Sequence, residues 1–172
     1  MKLTDISTIR QLFEKHGFSF TKSLGQNFLI NPTVCPKIAE MGGAGENVGA
    51  IEIGTGIGVL TRELAERCEK VVAIEIDTGL KPILDETLEE YDNVEVIFAD
   101  VMETDLNKLI AEKFPGMDVI VCANLPYYIT SPVIMKLLEE KLPIKAITVM
   151  VQLEAADRIC AAVGSRECGA IT

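Results

Sequence analysis

Between residues 48 and 151 the chain repeats one pattern: a short, nearly continuous apolar run, then a segment with apolar residues at helical spacing. The runs are VGAIEI (48–53), KVVAIEI (70–76), NVEVIFA (93–99), MDVIVCA (117–123) and IKAITVMV (144–151). The helical segments fall at 58–68, 78–91, 105–113, 131–142 and 153–162. A strand that is apolar on both faces must be covered on both faces. Alternation of such strands with helices therefore specifies a mostly parallel sheet with helices on each side, and right-handed crossovers make it a doubly wound α/β domain. Upstream, Ile6, Ile9, Leu12 and Phe13 give a helix over 5–16 that Gly17 ends. FSFTKSLGQNFLIN (18–31) reads as an ordered loop and residues 32–41 as a short helix.

Several classes of function are excluded early. No apolar run approaches the ~20 residues of a membrane helix. The opening MKLTDISTIRQLFEKHG lacks the apolar stretch of a secretion signal, so the expected location is cytoplasmic. The five cysteines (Cys35, Cys68, Cys122, Cys160, Cys168) are scattered with no CxxC pair, and His16 is the one histidine. That pattern fits neither a zinc site nor a disulfide framework. The cysteines read as small hydrophobes, Cys122 above all, inside its apolar run. A net charge of −10 opposes a chain that grips nucleic acid over its whole surface. The charge is uneven: Lys2, Arg10, Lys15, Lys22 and Lys37 against Asp5 and Glu14 give residues 1–37 a net +3. On charge alone this basic arm is unremarkable.

Doubly wound sheets bind ligands beyond the carboxyl ends of their strands. The first run ends in Glu52-Ile-Gly54-Thr-Gly56-Ile-Gly58, with glycine at every second position. Such a loop lets the backbone pass close to a ligand, but its spacing is not the GxGxxG of a dinucleotide site. The second run ends in Glu75-Ile76-Asp77, and a carboxylate there suits the two hydroxyls of a ribose. The third ends in Asp100, an acceptor for an adenine amino group. Each carboxylate taken singly is equally a helix cap. Taken together, glycine and acid at three strand tips favour a neutral or cationic nucleoside over a pyrophosphate, and S-adenosyl-L-methionine fits. The fourth run ends in Asn124-Leu125-Pro126-Tyr127. Pro126 has no N–H to continue a ladder, so the strand must stop there.

These residues carry a resemblance. SLGQNFLI (23–30), IEIGTGIGVLT (51–61), VVAIEID (71–77), Ala99-Asp100, NLPYYIT (124–130) and MVQLEAADRI (150–159) occur in the order found in S-adenosylmethionine-dependent N6-adenine methyltransferases. Within them the chain resembles the ribosomal RNA small-subunit adenine N6,N6-dimethyltransferases. The resemblance implies a Rossmann-like methyltransferase fold and dimethylation of adenines in 16S rRNA, on the 30S particle, as part of ribosome biogenesis. It also implies that Asn27, Leu29, Gly54, Gly56, Glu75, Asp100 and Asn124 bind the cofactor, with no metal and no membrane partner. Asn124, Leu125, Pro126 and Tyr127 match the catalytic motif. In that role Asn124 Oδ1 and a backbone carbonyl near Leu125–Pro126 accept the two N6 hydrogens, and Tyr127 stacks on the extruded base. Phe28 is a further candidate to enclose the target. Tyr128 reads instead as core filling at a helix start.

The chain departs from the family in three places. Thr55 stands where the glycine loop commonly has proline. Leu153 stands where a lysine usually precedes the glutamate of the MVQKE-like motif. Five strands are legible where the family has seven followed by a helical domain. The organisation expected is therefore a helical arm with a cofactor-capping loop, 1–47, and a methyltransferase core, 48–172, lacking the last two strands and the C-terminal helical domain, with the fifth strand left as a sheet edge. Two other functions stay open: a cofactor-binding fragment or ribosome assembly factor without turnover, and a large-subunit rRNA adenine methylase of the antibiotic-resistance type.

Overall fold

A computed structural model describes residues 1–18, 29–126, 128–166, 168–169 and 171. Five strands, β1 (Val48–Ile53), β2 (Lys70–Glu75), β3 (Val94–Phe98), β4 (Asp118–Asn124) and β5 (Ala146–Met150), form one parallel sheet in the order β3-β2-β1-β4-β5. The doubly wound architecture expected from the apolar runs is the one observed. The described residues also form seven α-helices, two before β1, four between strands and one after β5: α1 (Ile6–His16), α2 (Val34–Gly42), α3 (Val59–Ala65), α4 (Lys81–Thr87), α5 (Leu106–Lys113), α6 (Thr130–Glu139) and α7 (Leu153–Ile159). The chain winds outward from β1 to β3, returns to β4, and winds outward again. The sheet therefore reverses its order between β1 and β4, and a crevice opens there.

Strand alternation sends side chains to two separate cores. Ile51 and Ile53 of β1, Val72 and Ile74 of β2 and Val119, Val121 and Ala123 of β4 pack on one face with α5 and α6. Ala50, Val71, Ile120 and Cys122 pack on the other with Cys35, Ile38 and Ala39 of α2 and Leu60 and Leu64 of α3. Burying a Leu or Ile side chain contributes roughly 1.5–3 kcal/mol, so the central strands β1, β2 and β4 hold the fold. The outer strands β3 and β5 are only half-buried, and β5 is a sheet edge, as expected.

The first helix is pinned at both ends. Asp5 accepts from Thr8 N (2.9 Å) at its start, and Gly17 closes it. Its Ile9, Leu12 and Phe13 pack on Leu80, Ile83, Leu84 and Leu88 around α4. Lys15 and His16 both reach Glu86 of α4, at 2.8 and 2.6 Å, so the helix is tied to the body by polar as well as apolar contacts.

Two expectations are corrected here. The segment 78–91 is not one helix: Asp77 accepts from Gly79 N and starts a 3-10 turn, Thr78–Leu80, before α4, which ends at Thr87. Pro82 explains the break, since it fits only the first turn of a new α-helix. The cysteines divide: Cys35, Cys68 and Cys122 are buried hydrophobes, but Cys160 and Cys168 are exposed. They lie at and beyond the end of α7, which buries none of its residues. No helix among the described residues is long and apolar enough to cross a membrane.

Candidate functional site

The crevice between β1 and β4 continues across the end of β2 as a cleft of about 640 Å³, counting the space open at its mouth. Its walls come from the loop after β1 (Gly54, Thr55, Gly56, Ile57), the end of β2 (Glu75, Ile76) and the end of β4 (Asn124, Pro126), with Leu29 beside them. The lining, mostly apolar with a few convergent polar groups, is that of a small-molecule site.

The loop is shaped by its glycines. Gly54, Gly56 and Gly58 all have positive φ (+79°, +53° and +89°), a region costly for other residues. Between them Thr55 and Ile57 turn inward and are buried. Glycine at alternate positions leaves the loop without a Cβ at 54, 56 and 58. A Cβ built on Gly54 would stand 3.8 Å from the Asn124 carbonyl oxygen, so the loop and the end of β4 almost touch.

Glu75 ends β2 and is 6% exposed. Its Oε2 accepts from Thr55 Oγ1 (2.9 Å) and Gly56 N (3.1 Å), and its Oε1 accepts from Asp77 N (2.9 Å). Three donors hold one carboxylate at the cleft wall. Asp77 itself is a cap, as the alternative reading of that residue had it. Asp100 sits beyond β3, half-buried, where its Oδ1 accepts from Met102 N (2.8 Å). It lies at the same carboxyl edge but not among the residues lining the cleft.

Glu52, one strand position before Ile53, is the anomaly of the site. It lines the cleft at 1% exposure, and neither oxygen has a hydrogen-bond partner. Burial pushes its carboxyl up to about 8; the Glu75 charge adds to this and the Thr61 hydroxyl partly offsets it. Thr61 Oγ1 nevertheless stays short of a full hydrogen bond and is itself without a partner. The sequence reading quoted Glu52 only as the start of the glycine loop. Its signal was available: a carboxylate inside VGAIEI, on the face it shares with Ala50, is bound for the interior.

At the end of β4, Leu125 N donates to Met150 O (3.2 Å), extending the ladder by one bond past Asn124. The Pro126 carbonyl is engaged twice, by Ile129 N (3.2 Å) and Thr130 Oγ1 (3.0 Å), which start α6. Among the described residues no donor reaches the Leu125 carbonyl. The sequence reading expected one acceptor carbonyl near Leu125–Pro126, and of these two the Leu125 carbonyl is the one without a donor among the described residues. Tyr128 corrects an expectation: it is 55% exposed and lines the cleft rather than filling the core. The reason is that α6 starts only at Thr130, and Thr130, Val133 and Ile134 fill the inward positions. Asn27, Phe28 and Tyr127 lie outside the described residues. No cluster of His, Cys, Asp or Glu among the described residues could hold a metal ion.

Fold and cleft together define a Rossmann-like domain with its ligand cleft at the sheet's reversal point. The sequence matches the model of one family, ribosomal RNA adenine dimethylase, over residues 17–172. It is 51% identical to the ribosomal RNA small subunit methyltransferase A of Geobacillus sp. (strain WCH70), over 98% of this chain and 59% of that one. A dimethyladenosine transferase from Plasmodium falciparum superimposes with a TM-score of 0.68 at 33% identity, over 82% of this chain and 49% of that one. The 23S rRNA methyltransferase ErmE gives 0.66 at 33% identity, over 77% and 50%. This chain belongs to the ribosomal RNA adenine dimethylase family, and it spans a little under three fifths of the length of its Geobacillus relative.

Proposed function

We propose that this chain is the catalytic core of an S-adenosyl-L-methionine-dependent adenine N6,N6-dimethyltransferase acting on small-subunit (16S) rRNA in the 30S particle. The observation that carries the reading is the convergence of the glycine loop, the buried Glu75 carboxylate and the Asn124–Pro126 turn on one cleft at the sheet's reversal point. The residues fit the cofactor: a bare backbone for close approach, a held carboxylate for a ribose and, in Glu52, a buried acid without a partner. When bound, the cofactor supplies a methyl group activated by its sulfonium charge.

In this reading Gly54, Gly56 and Leu29 shape the cofactor's bed, Glu75 receives its ribose, and Asp100, from beyond the cleft's lining, is the acceptor for its adenine amino group. Residues 1–47 form the arm whose loop, with Asn27, closes over it, and 48–172 form the core. The target adenine's N6 is a poor nucleophile, because its lone pair is shared with the ring. Asn124 Oδ1 and the Leu125 carbonyl accept its two hydrogens and hold the nitrogen toward the methyl donor. Pro126, locked by its bonds to α6, keeps that carbonyl in place. Tyr127 supplies a face for the extruded base, worth ~1–3 kcal/mol of stacking. A cytoplasmic location follows from a ribosomal substrate.

The likeness to ErmE supports a second reading, a large-subunit target, but at 33% identity against 51% for the Geobacillus relative. Methyl incorporation into undermethylated 30S and 50S particles decides: label in 30S rRNA alone is expected, and label in 50S alone reverses the assignment. No label in either, with the cofactor bound, leaves a binding or assembly role.

A further inference from the structure

We propose that Thr55 is a stand-in for a ligand hydroxyl: in the free chain its Oγ1 holds the Glu75 carboxylate, and on binding it yields that place to the ligand's vicinal diol and turns to the Gly56 carbonyl. The inference rests on the cleft being a nucleoside site.

The argument is one of acceptor sites. A carboxylate offers about four lone-pair positions. On Glu75 three are taken, by Thr55 Oγ1, Gly56 N and Asp77 N. A ribose presents two hydroxyls, so one protein donor must leave. The two backbone N–H groups are fixed by the loop and the end of β2. Only the Thr55 hydroxyl can rotate, about a single bond, without moving the chain. A second acceptor is already within its reach, the Gly56 carbonyl oxygen at 3.3 Å, against 2.9 Å for Glu75 Oε2. The shorter contact is to the carboxylate, so that is the bond the diol would have to replace.

Such a hydroxyl does two things. It satisfies a buried carboxylate while the cleft is empty, where an unmet acceptor would be costly. It also makes the diol compete for its place, which lowers affinity. Both follow from threonine standing at 55, where the resemblance expects proline, a residue with no hydroxyl to give. Thr55 is thus a positioning residue that acts through Glu75 and tunes the affinity for a diol-bearing ligand.

Calorimetric titration of S-adenosylhomocysteine and of its 2′,3′-dideoxy analogue, into wild type, Thr55→Val and Thr55→Ser, tests this. Thr55→Val is expected to bind S-adenosylhomocysteine about two- to tenfold more tightly than wild type, the range of one modest hydrogen bond. The dideoxy analogue is expected to bind wild type and Thr55→Val alike, and Thr55→Ser to behave as wild type with both. Equal or weaker binding of S-adenosylhomocysteine by Thr55→Val overturns the inference, as does an equal gain with the dideoxy analogue. Should Thr55→Val fail to fold, Thr55→Ala stands in its place with the same expectations. No binding of S-adenosylhomocysteine by any variant removes the nucleoside reading and this inference with it; binding without the diol-dependent difference removes this inference alone.

Discussion

Glu52 and Glu75 line the same cleft from adjacent strands, and their surroundings are opposite: Glu75 accepts three hydrogen bonds, whereas Glu52, buried as deeply, accepts none. One carboxylate is solvated by the protein and the other is not. The consequence is a pH dependence of stability that belongs to Glu52.

Burial raises the Glu52 carboxyl from 4.5 to about 8 in the folded chain. Between these values the folded state holds a proton that the unfolded state has lost, so stability falls as pH rises. The loss begins near pH 4.5 and levels off above about 8, reaching on the order of 3–5 kcal/mol. Glu52→Gln, which cannot ionise, is expected to show no such loss. Urea midpoints of both proteins from pH 5.5 to 9 should diverge steadily, with the variant more stable at the alkaline end. Parallel curves would show that Glu52 is already ionised when folded.

Removing Glu75 works in the other direction. Glu75→Ala strands the Gly56 and Asp77 N–H groups, leaves the Thr55 hydroxyl to the Gly56 carbonyl and, in the proposed reading, deletes the ribose acceptor. Hydrogen bonds to a charged group contribute about 1.5–3 kcal/mol each, so cofactor affinity is expected to drop at least about tenfold for one such bond and about a hundredfold for two. Calorimetry with S-adenosylhomocysteine, on a variant shown to be folded by circular dichroism, measures it. Unchanged affinity would place the ribose elsewhere.

Much of this was legible in the sequence because a parallel sheet is written in runs that need no partner to be read. VGAIEI is observed as β1 with the same bounds, and the other four strands lie within a couple of residues of their runs. What could not be read was set by contacts distant in sequence. Thr55 meets Glu75 only once β1 and β2 are paired, so in the sequence it read only as a departure from the family's proline. Tyr128 looked like core because α6 seemed to begin beside it, but the turn held by the Pro126 carbonyl delays the helix and points the ring to the cleft. Glu52 was visible but weighed as part of a motif rather than as a charge on an inward face.

The sheet also makes a prediction of shape. Gly49 lies on β1 beneath Phe114, and a Cβ there would sit 2.3 Å from Phe114 Cδ1 and 2.7 Å from Cε1. Phe114 is 2% exposed and has nowhere to go. Gly49→Ala is expected to destabilise the chain by about 1–3 kcal/mol through overpacking. Shortening the ring in the double variant Gly49→Ala/Phe114→Leu should recover part of that, a non-additivity that chemical denaturation of all four proteins would reveal. Strict additivity would mean that the two residues do not press on one another.

Asn124 separates binding from chemistry. It stands at the tip of β4, in register with Met150, with its backbone carbonyl beside the Gly54 loop, and it lines the cleft. If its amide oxygen positions the N6 hydrogens, its loss should act mainly on the reacting complex. Asn124→Ala is expected to lower single-turnover methyl transfer to 30S particles by about 10²–10³-fold, the scale for removing one positioned group in an active site. Affinity for S-adenosylhomocysteine should fall by less than about tenfold, one hydrogen bond's worth. Asn124→Asp keeps an acceptor oxygen and should retain more transfer than the alanine variant. The decisive measurement is the ratio of the two effects: a loss of binding as large as the loss of transfer would make Asn124 a cofactor ligand alone and leave the N6 hydrogens to the Leu125 carbonyl.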